Sequence, residues 1–413
     1  MTRACIDIKK NSAELFLRGN MDIRSEAENL FYYTQVKRRD IHKHPEVGYH
    51  EHRTAKLITD ELSALGYEVK TGVGMTGVVG VLNGRSKMPV IMLRFDMDAL
   101  PIQETNTTDY VSLNSGIMHA CGHDSHVAVG LTVAKILAAH KNDLQGAVKL
   151  IFQPAEEGGA GAIAMINDGA LLDPMPDYAL GMHVWNEKPL GWFGITEGPA
   201  MAGANMVTFT VNGHGGHGAL PHLTADPLIA STQIINALQT IVSRNVSPLE
   251  SAVVSITQIE GGSAFNIIPS SVTAKGTIRA FLPEVQTKVI ARFEEIVHDI
   301  AKAMNCTAVT NIDQGTKPVI NDKKVAKKVS KIASALWPDA QIENDYRTMG
   351  AEDMSEFLMR IPGCFILVGS ANEIRHLNSP HHSPNFDIDE SCLPNAVVLL
   401  VEATIELLDN GID

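Results

Sequence analysis

The chain is short of cysteine, has no long apolar run and no excess of basic charge, and each shortage narrows what it does. Five cysteines (Cys5, Cys121, Cys306, Cys364 and Cys392) are scattered through 413 residues. Their number is odd and none stand at short paired spacing, which suits reduced thiols better than a disulfide framework. Nothing approaches eighteen uninterrupted apolar residues, so no membrane span is expected. The first twenty residues carry Asp7, Lys9, Lys10, Glu14 and Arg18 and lack the apolar centre of a secretory signal. A cytoplasmic protein is therefore expected. With a formal net charge of -13 and no Lys/Arg-rich tract, a nucleic-acid partner is not expected either. The simpler meaning of the charge is an acidic, solubilising surface.

What is there reads as an ordinary soluble protein, 45% hydrophobic and 20% charged, but 413 residues exceed what one core usually holds. Two domains are expected. Helical periodicity runs from Asp22 to Ile41 and from Glu51 to Leu65, where Gly66 stops it. Strands are expected at Tyr67 to Lys70, Gly77 to Leu82, Pro89 to Phe95, Ala147 to Phe152 and Tyr178 to His183, with helices at Val127 to Ala139 and Gly161 to Asp168. Strands alternating with helices imply an α/β fold on a mainly parallel sheet, whose ligands gather at the carboxyl ends of the strands.

After Met201 the texture changes. Two strand pairs and two long helices, Asp226 to Val242 and Glu284 to Met304, suit an inserted α+β domain of ferredoxin-like type. The boundaries are placed at 204–316 for the insertion, with 1–203 and 317–413 forming a discontinuous catalytic domain. Gly72-Val-Gly74-Met-Thr-Gly77 fits a dinucleotide fingerprint by letter, but Val78-Val-Gly-Val-Leu82 follows it where a helix is required, so a turn between strands is expected.

His119-Ala-Cys-Gly-His-Asp-Ser-His126 concentrates the chemistry. Asp124 or Ser125 is expected to cap the helix that follows. Cys121 and His123, two residues apart on an extended segment, would face one ion, and a thiolate with an imidazole favours zinc or a similar transition metal. Adjacent Glu156 and Glu157 diverge on an extended segment, so one can bind metal while the other handles a proton. His183 ends a strand, and His381-His382 lies in a late loop. Cys121, His123, Glu157, His183 and His382 make five donors on separate loops, about enough for two ions sharing one bridge.

Leu93-Arg-Phe-Asp96-Met-Asp98-Ala-Leu-Pro101, His119-Ala-Cys-Gly-His-Asp124, Phe152-Gln-Pro-Ala-Glu-Glu157, Gly213-His-Gly-Gly-His217-Gly-Ala, Asn266-Ile-Ile-Pro269 and Gly350-Ala-Glu-Asp353 follow one another in order. In this the chain resembles the hippurate hydrolase and indole-acetyl-amino-acid amidohydrolase branch of the aminoacylase/carboxypeptidase metallopeptidases, from about residue 25 to its end. The resemblance implies two divalent metal ions per subunit, zinc or manganese first and cobalt or nickel as alternatives. Cys121 would be the bridging ligand, with His123, Glu157, His183 and His382 completing the pair, His382 being preferred over His381 for the Ser-Pro that follows it. Glu156 would be the general base and Asp98 would orient the ligands from behind. His217 would serve the neighbouring subunit's site, Asn266 and Arg279 would hold substrate, and a homodimer or higher homo-oligomer would form through the inserted, lid-like domain.

The activity so implied is hydrolysis of an N-acyl amino acid, a small-molecule substrate, to a carboxylic acid and an amino acid. Phe95, Ser125, Asn205 and Met354 depart from the residues usual in that branch, and none is an expected ligand. A hydrolytic aromatic deaminase or a dipeptidase on the same metals is the nearest alternative, and a non-catalytic binding protein a more distant one.

Overall fold

The computed structural model describes residues 21–412. The first twenty residues, read above as lacking a signal core, lie outside them, as does Cys5. Among the described residues the other four cysteines are free thiols. By contacts the chain divides into two compact units, one comprising the stretches up to Gly198, Ile320–Tyr346 and from Glu356 on, the other Pro199–Val319 with Arg347–Ser355.

In the first unit Asp22 caps α1 (Ile23–Asn29) through Ser25 N, and α2 (Phe31–Lys43) follows after a turn at Leu30. The single helix expected from 22 to 41 is thus two, with Leu30 (φ -89°, ψ 0°) outside helical geometry at the junction. Next come α3 (His52–Ala64), β1 (Glu68–Val73), β2 (Gly77–Asn83), β3 (Val90–Asp96), α4 (His123–Ala139), β4 (Ala147–Gln153), α5 (Gly161–Asn167), β5 (Tyr178–Pro189) and β6 (Trp192–Gly194). Residues 72–77 turn directly from β1 into β2, which leaves no helix end for a dinucleotide phosphate.

The second unit holds β7 (Gly203–Asn212), β8 (Gly216–His217), α6 (Pro227–Thr240), β9 (Ala252–Gly261), β10 (Ile267–Ile268), β11 (Ser271–Ala280), α7 (Pro283–Ala303) and β12 (Thr307–Gln314). The first unit then resumes with α8 (Lys323–Leu336), β13 (Gln341–Glu343), β14 (Gly363–Ala371) and α9 (Leu393–Asn410). The segment Glu390–Asn410 is long and apolar enough to cross a membrane, but 78% of its most apolar window is buried in this unit's own core. It reads as a core helix.

Eight strands of the first unit form one sheet in the order β1-β2-β4-β3-β5-β14-β6-β13. The sheet is mixed: β4-β3-β5-β14 run parallel at the centre, while β1-β2-β4 and β14-β6 pair antiparallel. Central strands β3 and β4 are buried along their whole length, as a sheet covered on both faces requires. Phe95 packs against Phe152 with ring centroids 5.4 Å apart, and Gly130 on α4 makes the room. A Cβ at Gly130 would come within 2.7 Å of Phe95.

In the second unit a four-stranded antiparallel sheet, β9-β11-β7-β12, carries α6 and α7 on one face. Val207, Phe209 and Val211 alternate inward from β7 onto Ile234, Leu238 and Phe293, the period of two expected of a half-buried strand. Asn205, unusual by family resemblance, is buried here and accepts a hydrogen bond from Gln286 Nε2 at 2.5 Å, so it serves the packing of α7 on β7.

Candidate metal centre

The carboxyl ends of the parallel strands supply the site. β3 ends at Asp96 and leads to Asp98, β4 runs into Pro154-Ala155-Glu156-Glu157, and β5 carries His183. Cys121 precedes α4 and His123 is its first residue. Gly122 caps that helix at φ +92°, and a side chain there would also collide with Val184. Two sequence expectations fail here. Cys121 and His123 do not sit on an extended strand, and neither Asp124 nor Ser125 caps α4; both lie inside its first turn. Asp124 is taken instead by Arg38 Nε (2.8 Å) and His42 Nδ1 (2.7 Å).

The five expected donors converge. Ligand atoms of Cys121, His123 and His183 lie within 4.8 Å of one another, and so do those of Cys121, Glu157 and His382. Cys121 belongs to both groups. Its Sγ is 3.5 Å from His183 Nε2, and His382 Nε2 is 3.1 Å from Glu157 Oε1. His123, Glu156 and Glu157 form a further group within the same spacing.

The ring orientations turn Nε2 of both His123 and His183 inward. His123 Nδ1 donates to the Asp98 carbonyl at 2.9 Å, with Asp98 Oδ1 at 3.2 Å, so its Nε2 is buried without a hydrogen-bond partner. His183 Nδ1 donates to Val184 O at 2.6 Å, which turns its Nε2 toward Cys121. Backing a ligand imidazole with a carboxylate or carbonyl fixes its tautomer and raises its basicity. Asp98 reaches further: its Oδ2 accepts from Glu157 N at 3.0 Å. An orphaned buried nitrogen among thiol, imidazole and carboxylate donors fits divalent transition metal ions better than magnesium or calcium.

His381 and His382 part company. His381 Nε2 donates to Val184 O at 3.0 Å and its ring packs 5.0 Å from those of Trp185 and Phe386. His382 takes φ +63°, and its amide donates to Ala120 O at 2.8 Å, which pins it beside the Cys121 turn. Asp96, His123 and His126 also cluster, yet both His126 nitrogens are committed, Nδ1 to Asp96 at 2.5 Å and Nε2 to Val184 N at 3.0 Å. That trio orders the scaffold behind His183.

Charge at the site is arranged for cations. Burial and the neighbouring Glu157 and Glu156 push the Cys121 thiol well above its ordinary range. Burial, with His126 and His381 close by, keeps His183 well below its usual value and so neutral. Burial works against charge on His123, but Asp96 and Asp98 outweigh it and hold its pKa at about 10. The hydrogen bond to Glu157 raises His382. Without metal the anions gather protons, and a cation bound here takes the place of those protons.

Residues not singled out from the sequence complete the support. Fully buried Arg38 bonds Asp124, Asp387 (2.6 Å) and Glu390 (3.2 Å), and His42 bridges Asp124 and Glu104. The network ties α2 to the start of α4 and to the loop after His382. His42 was legible only as the residue two before the His44-Pro45-Glu46 helix stop, a signal with no metal in it.

In the second unit, His217 is exposed on β8 and pairs with Ile267 of β10, and its Nδ1 accepts from Ala219 N at 3.0 Å. Asn266, also exposed, accepts from Gly218 N at 2.8 Å. Arg279 lies on β11 between Val253 and Ala204, half-buried, and its burial lowers its pKa. These three share one unit, and His217 and Asn266 lie on facing strand ends.

Among known proteins, the chain is 40% identical over 361 residues to the IAA-amino acid hydrolase ILR1-like 4 of Arabidopsis thaliana, covering 86% of this chain and 81% of that one. It is 38% identical to the N-acetyl-L-cysteine deacetylase of Bacillus subtilis, covering 91% and 88%. Of solved structures, the Bacillus subtilis YXEP protein, a dinuclear metal-binding peptidase of the M20 family, superposes with a TM-score of 0.81 at 32% identity, covering 92% of this chain and 99% of that one. With residues 92–406 matching it, the chain belongs to peptidase family M20/M25/M40.

Proposed function

We propose that this protein is a binuclear metal amidohydrolase that cleaves N-acyl amino acids, aromatic-acyl conjugates or similar, to a carboxylic acid and an amino acid. The observation that carries the reading is Cys121, shared between the group with His123 and His183 and the group with Glu157 and His382. Each group would hold one cation, zinc or manganese first, cobalt or nickel on the same donors. When bound, the pair of cations supplies Lewis acidity, bringing the pKa of an attacking water toward about 7 and polarising the scissile carbonyl.

An amide has a poor leaving group, so the protein must also move a proton. Glu156, grouped with His123 and Glu157, takes the proton from the attacking water and returns it to the departing nitrogen. Asp98 keeps Nε2 of His123 pointed inward by holding its Nδ1. Arg279 offers a planar fork to the carboxylate of the amino acid half, Asn266 holds the substrate, and His217 polarises the carbonyl in a neighbouring subunit's site. The relatives' names, an amino acid conjugate hydrolase and an N-acetyl amino acid deacetylase, support this substrate class.

The test is a screen of N-acyl amino acids, dipeptides and aromatic amines against apo-protein reconstituted with each metal. Equimolar carboxylic acid and amino acid from an acylated substrate is the expected result. Ammonia released from an aromatic amine would favour the deaminase, turnover of dipeptides alone the dipeptidase, and no turnover with any metal the binding protein.

His382→Ala is expected to lose about half the bound metal, while His381→Ala keeps both equivalents and loses thermal stability from its aromatic packing. Metal analysis beside melting curves separates them, and the opposite pattern would reverse the assignment. A cytoplasmic homodimer joined through the second unit completes the reading. Phe265, Leu249 and Leu223 of that unit are exposed apolar side chains that a second copy would cover, and β9 is a sheet edge. A single-chain mass by light scattering at micromolar concentration would contradict it.

A further inference from the structure

We propose that Glu51 is a positioning residue for Glu156: its buried carboxylate fixes the strained backbone from which the base projects. The inference rests on the reading of Glu156 as the base. Glu51 is fully buried and stands at the N-terminal cap of α3, yet its side chain makes no capping bond there. That task falls to Glu46, whose two oxygens accept from Arg53 N and Thr54 N, each at 2.9 Å. The Glu51 carboxylate is left for another purpose. One oxygen accepts from Ala155 N at 2.9 Å and the other from the buried Thr76 hydroxyl at 2.5 Å.

Ala155 needs holding. At φ +50° it sits in the left-handed region that a residue with a Cβ seldom enters, one position before Glu156. The amide on its N-terminal side is held by Glu51 and the amide of Glu157, on the far side of Glu156, by Asp98 Oδ2. Two buried carboxylates thus bracket the base. The rest of the 46–51 segment forms the same cradle: Tyr49 Oη donates to Gly159 O at 2.5 Å. A Cβ at Gly48 would come within 3.0 Å of Ala155, so the segment lies directly beneath the turn.

The two carboxylates differ in what else they touch. Asp98 also holds the metal-facing His123, whereas the side-chain bonds of Glu51 go to Ala155 and Thr76 and not to any of the five donors. Loss of Glu51 should therefore misplace the base and leave the metals in position. A shift on the order of 1 Å in a reacting group costs about 100-fold in rate. The isosteric amide of Glu51→Gln can accept from Ala155 N through its oxygen and donate to the Thr76 hydroxyl through its NH2, so it is the conservative variant that keeps both partners, whereas Glu51→Ala and Glu51→Met remove both acceptors.

The experiment measures kcat, KM, metal content and melting temperature of E51Q, E51A, E51M and E156Q beside the wild type, all reconstituted with the same metal. E51A and E51M are expected to hold two equivalents, keep KM within about threefold and lose about 10- to 100-fold in kcat, with E51Q recovering most of that loss and E156Q losing more. Wild-type kcat in metal-replete E51A or E51M, with E156Q inactive, overturns this inference alone. So does a fall in kcat matched by an equal fall in metal or folded protein, the mark of a purely structural role. If E51A does not fold, E51M, of similar length and without an acceptor oxygen, decides. Wild-type turnover in E156Q removes the base itself, and this inference with it.

Discussion

Replacing Glu156 with glutamine is expected to lower kcat by about 100- to 10,000-fold while the protein keeps both equivalents of metal. The amide preserves shape and hydrogen bonding but neither takes a proton from water at neutral pH nor delivers one to nitrogen. The geometry separates the two glutamates: Glu157 closes one donor group with Cys121 and His382, and Glu156 is absent from it. The same substitution at Glu157 should therefore release metal, whereas at Glu156 it should not. Metal analysis and single-turnover rates on the same preparations distinguish the outcomes. Comparable activity in Glu156→Gln and wild type would remove the base from the mechanism.

The second large effect is expected at Cys121. Because its sulfur belongs to both donor groups, Cys121→Ser should disturb both metal positions at once. A serine hydroxyl keeps its proton at neutral pH, so it brings neither the charge nor the soft donor of a thiolate. Supporting residues around metal sites are typically worth about 10- to 100-fold in affinity, and a shared ligand should exceed that for each ion. Dialysed Cys121→Ser protein should hold less than one equivalent in place of two, with activity falling in proportion. With cobalt in the site, the thiolate-to-metal absorption of the wild type should be missing. Retention of two tightly held ions would show that sulfur is not a ligand. Since burial and two glutamates hold the free thiol protonated, metal binding must also release its proton. Apparent affinity should accordingly rise with pH.

The parts of this protein that follow local rules were legible from residues alone. The alternating pattern of Val207 to Val211, the apolar run Val90 to Leu93 of β3, and Gly66 after α3 all have their meaning within a few neighbours. The site was legible for a different reason: Cys121, His123, Glu157, His183 and His382 are soft or borderline donors scattered along the chain, about enough for two ions sharing one bridge. What could not be read was which partner each polar group would choose. Asp124 had every local qualification for a helix cap, and it was captured by Arg38 and His42, some eighty residues upstream. Glu51 likewise gave up the α3 terminus for an amide 104 positions away. The antiparallel edges of the sheet escaped notice because alternation of strand and helix describes the order of elements and not their direction.

Anomalous diffraction from crystals of the metal-loaded protein tests the central claim most directly. The account predicts two peaks, one among Cys121, His123 and His183 and the other among Cys121, Glu157 and His382, with Sγ of Cys121 in contact with both. A single peak, or two peaks with the sulfur in contact with neither, would contradict it.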